Sequence, residues 1–322
     1  MNNRQILGAL CVLALSLLPA LPLRAQSSRV LPFLETPTDA RAAAMGNATL
    51  LKTDRNYLYT NPASIFNDDI RLTVTATGLT HMMPKDDYVK GNLMLGSVTA
   101  GYRFLDRHVV YAGFRYQGGL QIKGGISEQW GTNKRFTSPF DLAVDLGYAF
   151  RITDALAAYA TGSFIQSYTG RAAYAGAFSV GANYLLTFSE ATDLNLAARV
   201  ADLGAPIYYS KKDAYAMPSN AQLTADFGHA FSDDHKVRAA VGAKYFFLPA
   251  KAQVFQTNLG AEYTLYNLAS LRAGFQYGTK DTSLWSAGVG FAYRGAKLDL
   301  GYLGALNQFA ANKLMLTLSF DY

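Results

Sequence analysis

The side chains of this 322-residue chain that could do chemistry are few, and they do not converge. Catalysis at a metal or an activated nucleophile needs several suitable groups at spacings that fold onto one point. The four histidines, His81, His108, His229 and His235, are scattered over loops, turns and strand ends, and none stands at metal-ligand spacing. The one cysteine, Cys11, lies in an apolar N-terminal run that reads as a cleaved leader. The remaining chain then has no disulfide, thiolate site or cysteine nucleophile. No Gly-x-Ser-x-Gly occurs, so a serine hydrolase of that type is unsupported. Gly118-Gly119 and Gly124-Gly125 lack the strand and helix context of a phosphate loop. His81-Met82-Met83 offers soft donors, but two methionines in a loop are more often a hydrophobic contact patch. The chemistry left is ion pairing. Glu262 and Arg272 are equidistant from Asn267, so if Asn267 centres a tight turn the two face each other on neighbouring strands. The expectation is a protein that is not an enzyme and carries no cofactor or metal.

The elements that would position such pairs are strands. In residues 313–322, Leu314, Leu316, Leu318, Phe320 and Tyr322 alternate with Met315, Thr317, Ser319 and Asp321. This two-residue period puts an apolar row on one face and a mostly polar row on the other. The same alternation recurs back to about Ile70, giving about fourteen segments, of which the Ala-rich residues 155–168 are the weakest. Every second connection is short and polar: residues 105–107, 151–154, 189–193, 232–235, 266–267 and 294–295. The intervening ones are mostly longer, at residues 81–91, 118–135, 203–220, 278–282 and 305–312. Short periplasmic turns alternating with longer outer loops are the signature of a transmembrane antiparallel β-barrel. A soluble sandwich has no reason to alternate loop length. Phe104, Phe150, Phe231, Phe247 and Tyr293 fall at strand ends, where interfacial girdles belong.

Composition agrees with an exported barrel. Half of the residues are hydrophobic, yet apart from the N-terminal run no long apolar stretch occurs, as expected where lipid-facing and interior residues take turns. Residues 1–25 carry Arg4, an apolar run and Ala25 before Gln26, the form of a secretory signal peptide. Without Arg4 and Arg24 the chain has 27 basic against 23 acidic residues, a charge of +4 in place of +6. That excess is too small and scattered to attract nucleic acid.

Residues 26–69 lack the alternation and are expected to form a compact N-terminal segment that plugs the lumen of a barrel over residues 70–322. Thr36-Pro37-Thr38-Asp39 reads as a capping box with Pro at the first helical position, residues 40–45 as a short helix, and Gly46 as its stop. Asn61-Pro62 reads as a cap and start for a further helical turn through Phe66. The polar rows place Arg71, Arg103, Arg115, Asp141, Asp145, Arg199, Asp226, Lys244, Glu262, Arg272 and Asp299 inside. Mixed signs suit ion-paired filling better than an ion pathway. Trp130, Tyr208, Tyr209 and Phe309 fall in the long loops, where they either anchor a protein partner or pack on their own loops.

Certain stretches carry a family likeness. A final amphipathic strand with Phe320 and a terminal Tyr322 resembles the C-terminal assembly signal of bacterial outer-membrane barrels. Residues 40–48, Ala-Arg-Ala-Ala-Ala-Met-Gly-Asn-Ala, with Asn61-Pro62-Ala63, resemble the opening of the long-chain fatty acid transporter (FadL-like) superfamily. Pro32-Phe33-Leu34, Asp202-Leu203-Gly204, Gly260-Ala261-Glu262-Tyr263 and Leu271-Arg272-Ala273-Gly274-Phe275 are similar to the PorV/PorQ branch of that superfamily. One departure is Asp202, where the pattern has Asn. The resemblance implies a fourteen-stranded outer-membrane barrel with a lumenal plug, belonging to the type IX secretion system of Bacteroidetes. It implies a non-enzymatic role, receiving or anchoring secreted cargo and surface-attachment partners, in contact with outer-membrane lipid. The superfamily's alternative is transport of a hydrophobic small molecule.

Overall fold

The computed structural model describes residues 30–82, 89–123, 136–211, 213–280, 282–307 and 311–322. Among them, fourteen long strands run antiparallel to their sequence neighbours: β1 (Leu72–Met82), β2 (Val89–Phe104), β3 (His108–Lys123), β4 (Phe140–Arg151), β5 (Leu156–Tyr168), β6 (Ala172–Ser189), β7 (Thr192–Gly204), β8 (Asn220–Ala230), β9 (His235–Phe246), β10 (Val254–Leu265), β11 (Ala269–Gly278), β12 (Leu284–Tyr293), β13 (Ala296–Ala305) and β14 (Asn312–Asp321). β14 pairs with β1, from Thr73 opposite Asp321 to Met82 opposite Asn312, so the sheet closes and has no free edge. The fold is a closed antiparallel β-barrel.

Each strand buries one parity and exposes the other. In β14, Met315, Thr317 and Ser319 are buried while Leu314, Leu316, Leu318 and Phe320 face outward. No helix among the described residues is long and apolar enough to cross a membrane; the crossing elements are strands. Outward aromatics gather toward both rims, with Tyr102, Tyr148, Tyr263 and Tyr293 near the short turns and Tyr174, Tyr245, Phe255 and Trp285 near the long loops. The tightest turns have positive φ at both central residues: Leu105 and Asp106, Tyr266 and Asn267, Arg294 and Gly295. That hand matches the twist of the flanking strands. The Ala-rich residues 156–168 form a full strand, because their inward partners Ala157, Tyr159, Ile165 and Ser167 are buried.

A register shift between β6 and β7 at Phe178/Val180 marks a bulge on β7. There Asp202 adopts φ 57 and donates its N–H to Ser179 Oγ at 3.1 Å. The left-handed conformation is one that Asn and Asp both enter readily. Asp202 therefore serves where the family pattern has Asn.

Residues 30–70 occupy the lumen and its rim. They contain a 3-10 turn at Pro32–Leu34, the helix α1 (Ala40–Ala44) and a 3-10 turn at Pro62–Asn67. β1 starts only at Leu72; Ile70 packs with the lumenal segment, and Arg71 lies exposed at the rim with its guanidinium 5.8 Å from the ring of outward Tyr102. Arg71 is thus not an inward residue, because the expected alternation had not yet begun.

Candidate functional site: plug seat and outer rim

The lumenal segment is organised by Asp39. It is the N-cap of α1, one turn after the cap expected at Thr36, and Thr36 and Pro37 lie outside the helix. Asp39 Oδ1 accepts from the N–H groups of Arg41 and Ala42 at 2.8 and 3.1 Å, and Oδ2 from those of Arg55 and Asn56 at 2.6 and 2.8 Å. One carboxylate thus satisfies the open end of the helix and staples a second stretch of chain to it. Thr36 Oγ1 lies 3.0 Å from Pro32 O and 3.3 Å from Gln117 Oε1 on β3. Gly46, at φ 73, ends the helix in the conformation that favours glycine. Asn61 does not cap with its side chain. Its Nδ2 donates to Leu51 O at 3.0 Å and Asn183 Oδ1 at 2.8 Å, tying the plug to β6, while Pro62 starts the turn.

The helix rests on a floor without side chains. Gly260, Gly274, Gly288 and Gly301 point inward from β10, β11, β12 and β13, with Gly260 opposite Gly274 and Gly288 opposite Gly301. A Cβ on Gly274 would stand 1.9 Å from Gly46 N, one on Gly260 2.4 Å from Met45 O, and one on Gly288 2.5 Å from Ala44 Cβ. The Ala-rich sequence of α1 and the glycines of the wall permit the same close approach from two sides. The wall also satisfies the helix ends. Ala40 N–H donates to Thr317 Oγ1 at 3.0 Å, Ser286 Oγ donates to Ala44 O at 2.9 Å, and Asn258 Nδ2 donates to Gly46 O at 2.6 Å.

Around this floor runs a chain of alternating charge. Arg41 donates from Nε and Nη2 to the two oxygens of Glu262, at 2.8 and 2.7 Å, and from Nη1 to the Thr53 carbonyl. Glu262 also pairs with Arg272 at 2.5 Å, Arg272 with Asp299 at 2.5 Å, and Asp299 with Arg55 at 2.6 Å. Glu262 and Arg272 stand directly opposite each other across β10 and β11. Toward the short turns, Lys52 and Arg238 share Asp193, at 2.8 and 3.0 Å, and Arg238 also meets Asp226 at 3.1 Å. Burial works against the Arg41 charge, but the Glu262 carboxylate more than offsets it and holds the guanidinium above its ordinary range. Asp54 differs: it is fully buried, and among the described residues neither oxygen accepts a hydrogen bond and its one ion-pair contact is Arg41 Nη1 at 3.7 Å. Burial, then the charge of Asp39, push its carboxyl well above the usual range.

The opposite side of the plug is held by packing. Tyr57, Leu58, Ala63, Ile65 and Phe66 bury against Val109 and Tyr111 of β3, Ala149 of β4, and Ala157 and Tyr159 of β5. Tyr111 Oη donates to Pro62 O at 2.7 Å. Between the two sides, Arg115 reaches both oxygens of Asp145, at 3.1 and 2.8 Å, and Arg199 donates to Tyr59 O at 2.6 Å.

Toward the long loops the lumen is filled by apolar side chains. Leu31 and Phe33, from the start of the plug, pack with Ile207 and Met217 of the β7–β8 connection and with Leu79, Leu95, Leu303 and Met315 of the wall. That connection forms a small ribbon, Ile207–Tyr208 against Ala214–Tyr215. Tyr209 turns inward, with its hydroxyl 2.6 Å from Ser167 Oγ and its ring edge-on to Tyr215, whereas Tyr208 is 55% exposed on the rim. Trp130 and Phe309 lie outside the described residues. A polar cavity of about 50 Å³ remains beside the plug, lined by Thr36, Asp39, Arg199, Asp202, Gln222 and Lys244 among others. Tyr322 pairs through its backbone with Leu72, while its ring and that of Phe320 face outward.

His108 and His235 hydrogen-bond the hydroxyls of Tyr148 and Tyr263, and His229 pairs with Thr192, all near the short-turn rim. Among the described residues no group of three or more His, Cys, Asp or Glu could hold a metal ion. The glycine floor, Asp54, Arg55 and Lys52 escaped the sequence reading. The floor had a signal, inward-parity glycines in four successive strands, once the turns at 266–267 and 294–295 set the register.

The fold is shared with toluene transporters. The chain is similar in structure to the toluene transporter TbuX of Ralstonia pickettii, with a TM-score of 0.60 at 16% identity over 91% of this chain and 100% of that one. The toluene transporter TodX of Pseudomonas putida gives 0.59 at 15%, over 88% and 97%. A FadL homologue of Pseudomonas aeruginosa gives 0.51 at 12%, over 89% and 98%. No curated protein matches the sequence. The family model described as type IX secretion system protein PorV matches residues 24–253. A plugged fourteen-stranded barrel of the bacterial outer membrane, carrying the PorV pattern over most of its length, belongs to the PorV family of type IX secretion system proteins.

Proposed function

We propose that this chain is a non-enzymatic outer-membrane platform of type IX secretion, which receives secreted cargo and anchors surface-attachment partners at its long-loop rim. In this reading residues 1–25 direct export and are removed, residues 26–69 act as a plug, and residues 70–322 form the barrel whose assembly Phe320 and Tyr322 signal. The carrying observation is the filling of the lumen. Leu31, Phe33, Ile207 and Met217, each no more than 2% exposed, occupy the extracellular half, where a hydrophobic ligand would enter. A closed interior leaves the outer face as the working surface. Tyr208 stands exposed there, and Tyr209 is committed to self-packing; Trp130 and Phe309, outside the described residues, are further anchors on the sequence reading alone. Amphipathic aromatics of this kind serve as contact anchors. Outer-membrane lipid surrounds the wall.

The second reading, passage of a hydrophobic molecule, is favoured by the fold shared with toluene transporters. Affinity purification of the tagged protein from native outer membranes in mild detergent, with mass spectrometry of proteins and lipids, separates the two. Stoichiometric secretion-system or surface proteins are the expected result, lost on deleting the loop at 203–220. A monomer carrying one defined hydrophobe and no protein partner would make it a transporter.

A further inference from the structure

We propose that Asp54 is a proton-operated latch on the plug: protonated, it leaves Arg41 to bridge α1 to Glu262 on the wall; ionised, it competes for Arg41 and loosens the helix from its glycine floor. This goes beyond the platform reading and does not depend on it. The geometry sets up the competition. Arg41 is the one cation within ion-pair distance of Asp54 among the described residues, and both of its outer nitrogens are already engaged, by Glu262 and by the Thr53 carbonyl. Among the described residues neither Asp54 oxygen accepts a hydrogen bond or reaches water; the hydroxyl of nearby Thr60, which would favour the charge, donates to Asn56 O at 2.8 Å. Asp39 from the cap of α1 and Asp226 from β8 also act on it, both against its charge, and Tyr159 of β5 lies within its field. Asp39 cannot relieve the crowding, since its oxygens are occupied by four N–H donors. A proton on Asp54 is therefore what permits the sealed arrangement, and its loss to solvent leaves a bare anion next to another carboxylate.

The direction with pH follows. In the unfolded plug Asp54 has an ordinary carboxylate pKa, and in the folded plug it is raised. Attachment is complete below the ordinary value and weakens as pH rises through the raised one.

Met45 closes α1 with its side chain fully buried against the floor, so its methyl group is a native reporter. The test is ¹³C-methyl methionine NMR of the full barrel in lipid nanodiscs from about pH 5 to about pH 10, the span between carboxylate and lysine titration. In the wild type, the Met45 resonance should give way to a second state that holds more than half of the signal at the alkaline end. Outward Met94 should not move. Asp54→Asn should reduce that second population at least tenfold. A Met45 signal constant over the range overturns the latch whatever the variant does. So does an Asp54→Asn protein that titrates like the wild type. Neither result bears on partner capture by the rim, so the two proposals fail separately.

Discussion

The plug is attached to its barrel by two unlike surfaces. Against β10–β13 it lies backbone to backbone on glycine, bordered by the Arg41–Glu262–Arg272–Asp299–Arg55 chain of charges. Against β3–β5 it is held mainly by aromatic and aliphatic side chains, with two phenolic hydrogen bonds, Tyr111 to Pro62 O and Tyr59 to Asp145 Oδ2, and the Arg151 guanidinium on Phe66 O. The first surface depends on exact complementarity. Buried charges gain little over apolar packing when all are paired, but removing one partner strands the others. The second depends on volume and degrades by degrees. The difference teaches that a lumen can hold its plug with a brittle, charge-dependent face for specificity and a forgiving, apolar face for adhesion.

Breaking one link on the brittle face should have the largest effect. Arg41→Met leaves Glu262 short of a partner and Asp54 with none, and should weaken plug attachment by about 3–5 kcal/mol. Hydrogen exchange of the amides of residues 40–44 in nanodiscs would read this as lost protection. Preserved protection would mean that Arg272 alone sustains Glu262. On the packed face, Ile65→Ala should cost about 2–5 kcal/mol through the cavity it leaves. Its effect should be the same at acid and neutral pH, because the side chains packed in that cluster are aliphatic, aromatic and phenolic; a strong pH dependence would merge the two faces into one. The smallest change probes the floor itself. Gly301→Ala brings a methyl carbon to 2.9 Å from Ala40 O, the mildest of the four floor contacts, and should cost about 1–3 kcal/mol by overpacking. Its displacement should appear at Ala40 and leave Tyr111 unmoved.

The barrel was legible because alternation, turn length and loop parity are written in side-chain type. Even the Ala-rich strand at 156–168 had its turns in place. The plug was legible as a helix and a turn, but its details turned on tertiary contacts. Asp39 rather than Thr36 caps α1 because Asp39 alone also reaches the N–H groups of Arg55 and Asn56. Asn61 spends its amide on β6, a partner 122 residues away in sequence. Arg71 sits before the strand that would have turned it inward, and Tyr209 is drawn in by Ser167 across a loop. The floor was hardest to see, since glycine announces no facing. Glu262 and Arg272 were readable because a two-residue turn fixes their register.

The glycine floor has a consequence for assembly order. α1 precedes every strand in the chain, yet its seat is made by β10–β13, and the ring is completed only when β14 meets β1. A segment seated so closely that the glycines beneath it have no room for a Cβ cannot be threaded into a finished cylinder. The plug must therefore wait as a template while the sheet is wrapped around it, and a faulty seat should yield unclosed sheets rather than empty barrels.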